Sequence, residues 1–174
     1  MITGTPVKTK NLNWNLSVLF NRNRNKAVDQ PLTLFSTNGG APVAVIGGES
    51  VGVFYGTFYA RNPDGSILKN AAGIPQIERG TQNSALKYTP QRDTAGLSTG
   101  TTLRKVIGDP NPDYTATLVN EVSYKQFSFR IQFDQFKGGD VFNADYRTRQ
   151  GVGRGKLAEQ ETLGQLPRGY IAGV

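Results

Sequence analysis

Carboxylate and amide side chains recur at spacings that catalytic and metal sites use. Glu121 and Asp134 fall in two neighbouring segments of alternating polarity, where they would share one face of adjacent strands, as the paired carboxylates of a glycosidase do. Asp109, Asn111 and Asp113 stand at alternate positions, as the first ligands of a calcium-binding loop do. Glycoside hydrolysis and calcium binding are therefore the chemistries to weigh first.

The calcium interpretation fails on the rest of its own pattern. A calcium loop needs Gly at its sixth position and Glu at its twelfth, where this chain has Tyr114 and Asn120. Pro110 and Pro112 alternate with the polar residues, which favours a stiff turn before a strand. No metal site is predicted.

A glycine-rich segment near the end of the chain has some features of a phosphate loop. Gly151, Gly153 and Gly155 precede Lys156, but the required spacing of the second glycine and the lysine is not met, and no buried strand comes before them. The segment is predicted to be a flexible loop.

The composition of the 174 residues removes further chemistry. The chain has no His and no Cys, which excludes Ser-His and Cys-His catalysis, disulfide scaffolds and imidazole or thiolate metal sites. No catalytic residue and no cofactor are predicted.

The formal net charge of +7 would suit nucleic acid, but the cations are scattered. The densest run, Arg22, Arg24 and Lys26, alternates with Asn and has only Phe20 as an aromatic neighbour. A solvated strand end is favoured over a nucleic-acid site. A basic nucleic-acid binder stays open as an alternative, which predicts an affinity that falls steeply with salt.

No stretch approaches the ~18 apolar residues of a membrane helix, and the first ten residues lack the apolar region of a signal peptide. A helical membrane protein is excluded. A membrane β-barrel is not excluded, because each of its strands needs only ~10 residues of alternating polarity.

Alternation is what the segment from residue 12 to residue 23 shows. The odd-numbered positions are polar and rich in Asn, and Leu19 is the one apolar residue among them. Because successive side chains of a strand point to opposite faces, the segment predicts one strand with an apolar face. That face carries Leu12, Trp14, Leu16, Val18 and Phe20.

Two further alternating segments, residues 114–124 and 127–137, are separated by Lys125 and Gln126. This spacing predicts a hairpin with a two-residue turn and with both apolar faces on the same side. Leu118, Phe129 and Ile131 belong to the apolar face.

The opposite face of the predicted hairpin carries charge. Counting outward from the turn, Glu121 faces Arg130, with Asp134 further along the second strand. A cross-strand ion pair on a wetted wall is favoured over a catalytic carboxylate pair. One face for lipid and one for water is what a barrel strand pair requires.

The middle of the chain, residues 27–110, is rich in turn signals such as Asn62-Pro63-Asp64-Gly65 and Ala72-Gly73-Ile74-Pro75. Residues 51–60 form its clearest extended stretch. So long an irregular region is unusual inside a compact soluble domain, which counts against a β-sandwich.

Four stretches carry a resemblance to a known family: KTKNLNWNLSVLFNRNRNKAV, GESVGVFYGTFYARNPDGSIL, IGDPNPDYTATLVNEVSYKQFSFRIQFDQFKGGDVFNA and PRGYIAGV. In this order they resemble the C-terminal half of the barrel domain of SusC/RagA-type TonB-dependent outer-membrane transporters. The resemblance implies an all-β fold: a partial antiparallel transmembrane β-barrel wall of a few strands with a long extracellular loop region.

On this resemblance the whole chain, residues 1–174, is an internal piece of a barrel domain, without the plug, TonB box or signal peptide of the family. Residues 1–4 would end one strand and residues 5–10 form a periplasmic turn. Residues 24–112 would be an extracellular excursion, in which residues 51–60 belong either to the wall or to the loop.

The resemblance also implies the function: import of oligosaccharides or peptides across the outer membrane of a Gram-negative bacterium. A SusD-like lipoprotein would close the extracellular mouth, and the TonB complex would supply energy through parts outside this chain. Tyr55, Phe58 and Tyr59 in the excursion are the candidates for contact with ligand or partner; packing within the loop is the competing role. A soluble β-sandwich carbohydrate-binding module remains the alternative.

Overall fold

The structure is a computed structural model that describes residues 1–36 and 41–171. The last three residues of the closing PRGYIAGV motif, Ala172, Gly173 and Val174, lie outside the described residues. The elements are, in chain order, β1 (Ile2–Lys8), β2 (Leu12–Asn21), β3 (Thr33–Ser36), β4 (Pro42–Val45), β5 (Val53–Gly56), β6 (Arg79–Gln82), β7 (Tyr88–Pro90), β8 (Thr101–Thr102), β9 (Lys105–Gly108), β10 (Pro112–Tyr124), β11 (Phe127–Gly138), α1 (Ala144–Gly151) and α2 (Lys156–Thr162).

Every strand pairing within the described residues is antiparallel, so the predicted all-β fold is confirmed, with two short helices added. The chain divides into two compact units. The first contains Met1–Asn25 and Pro110–Asp140, and the second contains Lys26–Asp109 and the helical segment after residue 140.

The first unit is one sheet, here named the long sheet, with the strand order β1-β2-β10-β11. The predicted hairpin of β10 and β11 is present, and Tyr124 pairs with Phe127 across the turn. Lys125, the first turn residue, has a φ of 52°, which is the left-handed conformation that two-residue hairpin turns require. Its N–H donates to the carbonyl of Asn11 at 2.8 Å.

The predicted bounds of the first strand were wrong. β1 continues to Lys8, and the turn that follows is closed by Thr9, whose hydroxyl accepts from the N–H of Leu12 at 2.9 Å. The register shifts between Gly4 and Val7, so that Pro6 lies in a bulge. Proline is tolerated there because β1 is an edge strand, and a missing N–H costs least at an edge or a bulge.

The second unit has a small hydrophobic core in the sheet β3-β4-β5-β9. Its buried cluster is Ala44, Ile46, Val53 and Tyr55, with Ala85 and Val106 packed against it. Alternation was not a clear signal here, because the strands are only four residues long.

Residues 58–103 fold through tight five-residue turns. In three of them an Asn or Asp begins the turn, its N–H donates to the carbonyl four residues on, and a glycine with positive φ stands at the fourth position. These turns begin at Asn62, Asn70 and Asp93.

The turns are capped by side chains as well as by backbone. Asn70 Oδ1 accepts from the N–H groups of Ala72 and Ile74, and Asp93 Oδ1 accepts from those of Ala95 and Leu97. Such Asx capping replaces the ladder hydrogen bonds that the chain gives up at a turn. The predicted turn at Ala72 and Gly73 is thus the second half of the five-residue turn that begins at Asn70.

The glycine-rich segment connects the two helices. Asn143 caps α1 by accepting from the N–H of Tyr146 at 2.8 Å, and Gly153 has a φ of 73° in the connection to α2. The expectation of a loop over this segment was wrong for Gly151 and Lys156, which belong to helices. Short polar helices carry little apolar periodicity, so these two were not predictable from hydrophobic patterning.

Candidate functional site

Register places the apolar residues of the long sheet in rows across the strands. Val18 pairs with Leu118, and Leu118 with Phe133. Because directly paired residues share a face, one face of the sheet is mostly apolar, with Asn120 and Gln135 as polar members between its two ends. The predicted members that it brings together are Trp14, Leu16, Val18, Phe20, Leu118, Phe129 and Ile131.

This apolar face is not a core. Phe129 is 63% exposed and Phe20 is 59% exposed. Among the described residues, every buried hydrophobic side chain belongs to the second unit. The long sheet therefore presents its apolar face outward, which is costly in water and favourable against hydrocarbon.

Aromatic residues mark both ends of the apolar face. At one end the rings of Phe20 and Tyr114 lie 5.3 Å apart, and the ammonium group of Lys137 is 6.0 Å from the Tyr114 ring. At the other end Tyr124 pairs with Phe127. Amphipathic rings at two ends of an apolar band are typical of strands that cross a bilayer.

Asn120 is a polar residue near the middle of this face. It pairs with Leu16 on one side and Ile131 on the other, and it is half-buried. The register is continuous from Tyr114 to Tyr124, so no bulge turns Asn120 to the opposite face. Its half-burial between Leu16 and Ile131 indicates that neighbouring side chains shelter the amide from an apolar medium.

The opposite face is a ladder of polar contacts. Glu121 pairs with Arg130 as predicted, with Nε of the arginine 3.3 Å from the carboxylate. Asp134 accepts from the Thr117 hydroxyl at 2.6 Å and from the Gln132 amide at 2.8 Å. Glu121 and Asp134 are thus each engaged by their own partners instead of by one another, which removes the support for a glycosidase pair.

The same face is not polar throughout. Leu19 lies in the row of Thr117 and Asp134, and Phe136, 75% exposed, pairs with Thr115. Both lie toward the end of the sheet that carries Tyr114. The alternation therefore loosens at that end.

The calcium-loop pattern of Asp109, Asn111 and Asp113 does not form a metal site in the described parts of the chain, where no group of three or more acidic side chains is placed to hold a metal ion. Asn111 Oδ1 accepts instead from the Asn25 amide at 3.4 Å.

Neither helix of the described residues is long and apolar enough to cross a membrane.

The three aromatic candidates of the second unit have different surroundings. Tyr55 is only 3% exposed and belongs to the core, and burial raises the pKa of its phenol. This burial argues against the predicted contact of Tyr55 with a ligand. Residues 53–56 of the undecided stretch form β5, which belongs to the sheet of the second unit and not to the long sheet.

Phe58 and Tyr59 are half-buried. The ring of Phe58 lies 5.2 Å from that of Tyr88, and Lys105 Nζ is 4.3 Å from the Phe58 centroid. Burial raises the pKa of Tyr59, and the phenols of Tyr170 and Tyr146 add to the rise.

Sequence reasoning missed the partners of Phe58 and the ion pair of Glu78. Glu78 is 5% exposed and binds Arg92 through both carboxylate oxygens, with Ser98 donating to one of them at 3.1 Å. Burial raises the pKa of Glu78, but the hydrogen bonds and charge of Arg92 outweigh it, so the pKa lies below its ordinary value. The signal that was available is the repeated Asx-x-x-Gly spacing, because it marks the turns that begin at Asn62, Asn70 and Asp93. These turns reverse the chain within the region that contains Phe58, Glu78 and Arg92.

Two known proteins are similar to most of the chain. The TonB-dependent receptor P26 of Formosa agariphila is 29% identical over 151 residues, which are 82% of this chain and 14% of that receptor. The TonB-dependent receptor P3 of the same organism is 27% identical over 150 residues, 82% of this chain and 15% of that receptor. No protein-family model matches the chain.

The chain thus spans about one seventh of the length of these relatives. The long sheet has an exposed apolar face and a polar opposite face, as the strands of a membrane β-barrel do, and the similarity to TonB-dependent receptors is consistent with this. Over four fifths of its length the chain is similar to a part of TonB-dependent receptors.

Proposed function

We propose that the chain is part of the β-barrel domain of a SusC/RagA-type TonB-dependent transporter in the outer membrane of a Gram-negative bacterium. The observation that carries the proposal is the long sheet, whose register aligns an exposed apolar face across all of its strands. The similarity to two TonB-dependent receptors supports it.

In this proposal the apolar face contacts lipid and the polar face lines the lumen. The lipid-facing residues are Trp14, Leu16, Val18, Phe20, Leu118, Phe129 and Ile131. The lumen wall contains Glu121, Arg130 and Asp134. Lys125 and Gln126 turn in the periplasm, and residues 24–112 form an extracellular excursion.

The whole transporter imports oligosaccharides or peptides with a SusD-like lipoprotein, and the TonB complex acts through parts outside this chain. The chain itself acts by binding and guiding, not as an enzyme. The surroundings of its carboxylates support a role without catalysis, because Glu121, Asp134 and Glu78 are each bonded to other side chains of the chain.

Spin labelling of the intact transporter in liposomes tests the proposal. Tyr114 and Tyr124 are ten residues apart, ~34 Å along a strand and ~24 Å of height at a tilt of ~45°, close to the ~25 Å apolar band of a barrel. Oxygen accessibility of labels at 114, 118 and 124 should peak at position 118. A flat profile, or one that rises toward either end, contradicts the proposed membrane span.

Expression of the chain in plain buffer tests the β-sandwich alternative. Unpaired edge strands and an exposed apolar face predict aggregation without detergent. A single soluble species with a sharp thermal transition would favour the soluble carbohydrate-binding module instead.

A further inference from the structure

The two turns at one end of the long sheet are joined by a hydrogen bond. The turn between β1 and β2 is closed by Thr9, whose hydroxyl accepts from the Leu12 N–H at 2.9 Å. The hairpin turn between β10 and β11 is linked to it, because the Lys125 N–H donates to the Asn11 carbonyl at 2.8 Å. We call residues 5–12 and 122–129 together the basic turn end. Its cations are Lys8, Lys10 and Lys125, and all of them are exposed.

No acidic side chain belongs to the basic turn end, since neither of its two segments contains Asp or Glu. The acid that comes just before the second segment, Glu121, is paired with Arg130, whose Nε lies 3.3 Å from the carboxylate. Within the described residues, none of the lysines at this end forms a salt bridge. The charge of the basic turn end therefore suits an anionic partner.

The opposite end of the long sheet has mixed charge. Lys137 also stands beside an aromatic ring, 6.0 Å from the centroid of Tyr114. However, Asp113 directly precedes Tyr114, and Asp140 follows Lys137 closely in the sequence. The two ends thus differ in acidic residues more than in cations.

Lys125 stands at the margin of the apolar face. Its ammonium group is 5.5 Å from the centroid of the Tyr124 ring, and Tyr124 pairs with Leu12 on one side and with Phe127 on the other. Tyr124 is 51% exposed and Phe127 is 70% exposed. An ammonium group beside a ring keeps donors for a further partner, so a cation and uncovered apolar surface are available side by side.

The conformation of the hairpin turn does not explain why a lysine stands at position 125. Its φ of 52° is left-handed, and among the described residues Asp29 is the only other non-glycine residue with a positive φ. Asn, Asp and Gly adopt this conformation at the first position of a two-residue turn more easily than Lys does. A residue that is unfavourable for its backbone conformation indicates a role for its side chain.

We infer that the basic turn end binds the headgroup phosphate of an anionic glycerophospholipid through Lys125, with the acyl chains of that lipid against Leu12, Tyr124 and Phe127. The inference rests on the proposed membrane span and names a lipid partner for one end of it. Such a lipid offers a negative charge and hydrocarbon next to each other, as the site does. A free phosphate ion would meet the ammonium group alone and leave the rings uncovered.

Photo-crosslinking of the intact transporter in liposomes tests the inference. Benzoylphenylalanine at position 127 keeps an aromatic ring there and reacts with the lipid that covers it. The liposomes contain phosphatidylglycerol and phosphatidylcholine in equal amounts and with the same acyl chains. Mass spectrometry of the adducts should show a preference of about fivefold for phosphatidylglycerol, which decreases as salt rises. Equal labelling by the two lipids overturns the inference.

Matched variants separate a site at Lys125 from general attraction of charge. Lys125→Gln should reduce the preference to less than about twofold, whereas Lys125→Arg, which keeps the charge, should retain it. Lys8→Gln is the control, because Lys8 is an exposed cation of the same end that pairs with Asn13 on the polar face. It should leave the preference within about twofold of the parent value. An unchanged preference in Lys125→Gln, or an equal loss in Lys8→Gln, contradicts the assignment.

Two further outcomes have a definite meaning. Inorganic phosphate should lower the preference no more than sodium chloride of the same ionic strength does; a specific loss would mean that the site takes free phosphate, and the inference would be wrong. Labelling by neither lipid, together with a flat oxygen profile across positions 114, 118 and 124, would reject the membrane span itself. Labelling by both lipids without preference would reject only the phospholipid site and keep the span.

Discussion

The two units of this chain use apolar side chains in opposite ways. The long sheet exposes rings such as Phe129 and Phe133, whereas the sheet β3-β4-β5-β9 buries Val53 and Tyr55 almost completely. The long sheet is held by extended strand pairing, and the second unit by a small core and capped turns. A buried core is typical of a unit that folds in water, whereas an exposed apolar face suits contact with an apolar medium.

The largest effect is expected from charge on the apolar face. Leu16→Arg and Phe129→Arg should impair assembly in the membrane, since Arg near the midplane of a barrel costs ~2 to 4 kcal/mol. Asn15→Arg and Ser128→Arg, on the polar face of the same strands, should still assemble and lose only the hydrogen bonds that these side chains make with Thr5 and Ser123. Heat-modifiability gels of the intact transporter measure this, and equal behaviour of the two pairs would show that the faces are assigned wrongly.

In the second unit, the ion pair of Glu78 should matter most. Glu78→Ala leaves Arg92 without its partner and should lower stability by about 2 kcal/mol, below the cost of breaking a fully buried pair because Arg92 is 31% exposed. Glu159→Ala, at an exposed acid in α2, should change stability by a few tenths. Hydrogen exchange of residues 78–103 is the measurement; unaltered protection in Glu78→Ala would exclude a stabilising role.

The same pair predicts a pH dependence with a definite sign. The pKa of Glu78 is lower in the folded state than the ordinary value of 4.5. Its contribution to stability is therefore complete above the ordinary pKa and is lost as the pH falls through the folded-state pKa. Hydrogen exchange at pH 7 and at progressively acid pH should show the loss in the parent chain and not in Glu78→Ala.

A medium effect is expected where an amide lies among apolar residues. Asn120→Leu should stabilise the long sheet in detergent or lipid by about 1 kcal/mol, because it removes an amide from a row with Leu16 and Ile131. Asn15→Leu should instead destabilise, because Asn15 Oδ1 accepts from the Thr5 hydroxyl at 2.9 Å. Urea unfolding in micelles compares them; stabilisation by both changes would mean that both faces meet an apolar medium.

The smallest effects belong to the exposed pair Glu121 and Arg130, whose side chains are 43% and 66% exposed. A double-mutant cycle with Glu121→Gln and Arg130→Gln should give a coupling of at most about 1 kcal/mol. The directly paired residues Thr115 and Asn21, which lie on the same face and carry no charge, serve as a control cycle. A coupling of several kcal/mol would place Glu121 in a dry environment and contradict a wetted wall.

The strands of the long sheet were predictable because their signal is local. Alternation with period two assigns each side chain to a face, and a two-residue turn fixes the register, so the pairing of Glu121 with Arg130 followed from counting. The bounds of β1 were not predictable, because Pro6 is compatible with a strand only when that strand lies at an edge.

The candidate site of the second unit was predictable only in part. Phe58 and Tyr59 were singled out as candidates for contact with a ligand or partner, but Tyr55 pairs with Val106 of β9, which is distant in the sequence, and is buried in the core. Tyr88 and Lys105 lie 30 and 47 residues from Phe58 in the sequence, and no local pattern connects them.

Alternating polarity was enough to predict strands with one apolar and one polar face, since strand geometry places successive side chains on opposite faces. The sequence also placed the hairpin and excluded histidine and cysteine chemistry. The fold was needed to distinguish the buried ring of Tyr55 from the half-buried ring of Phe58, and to place Lys105 over Phe58. The reason is physical: burial and ion pairing arise from contacts between segments that are distant in the chain, and such contacts leave no period in the sequence.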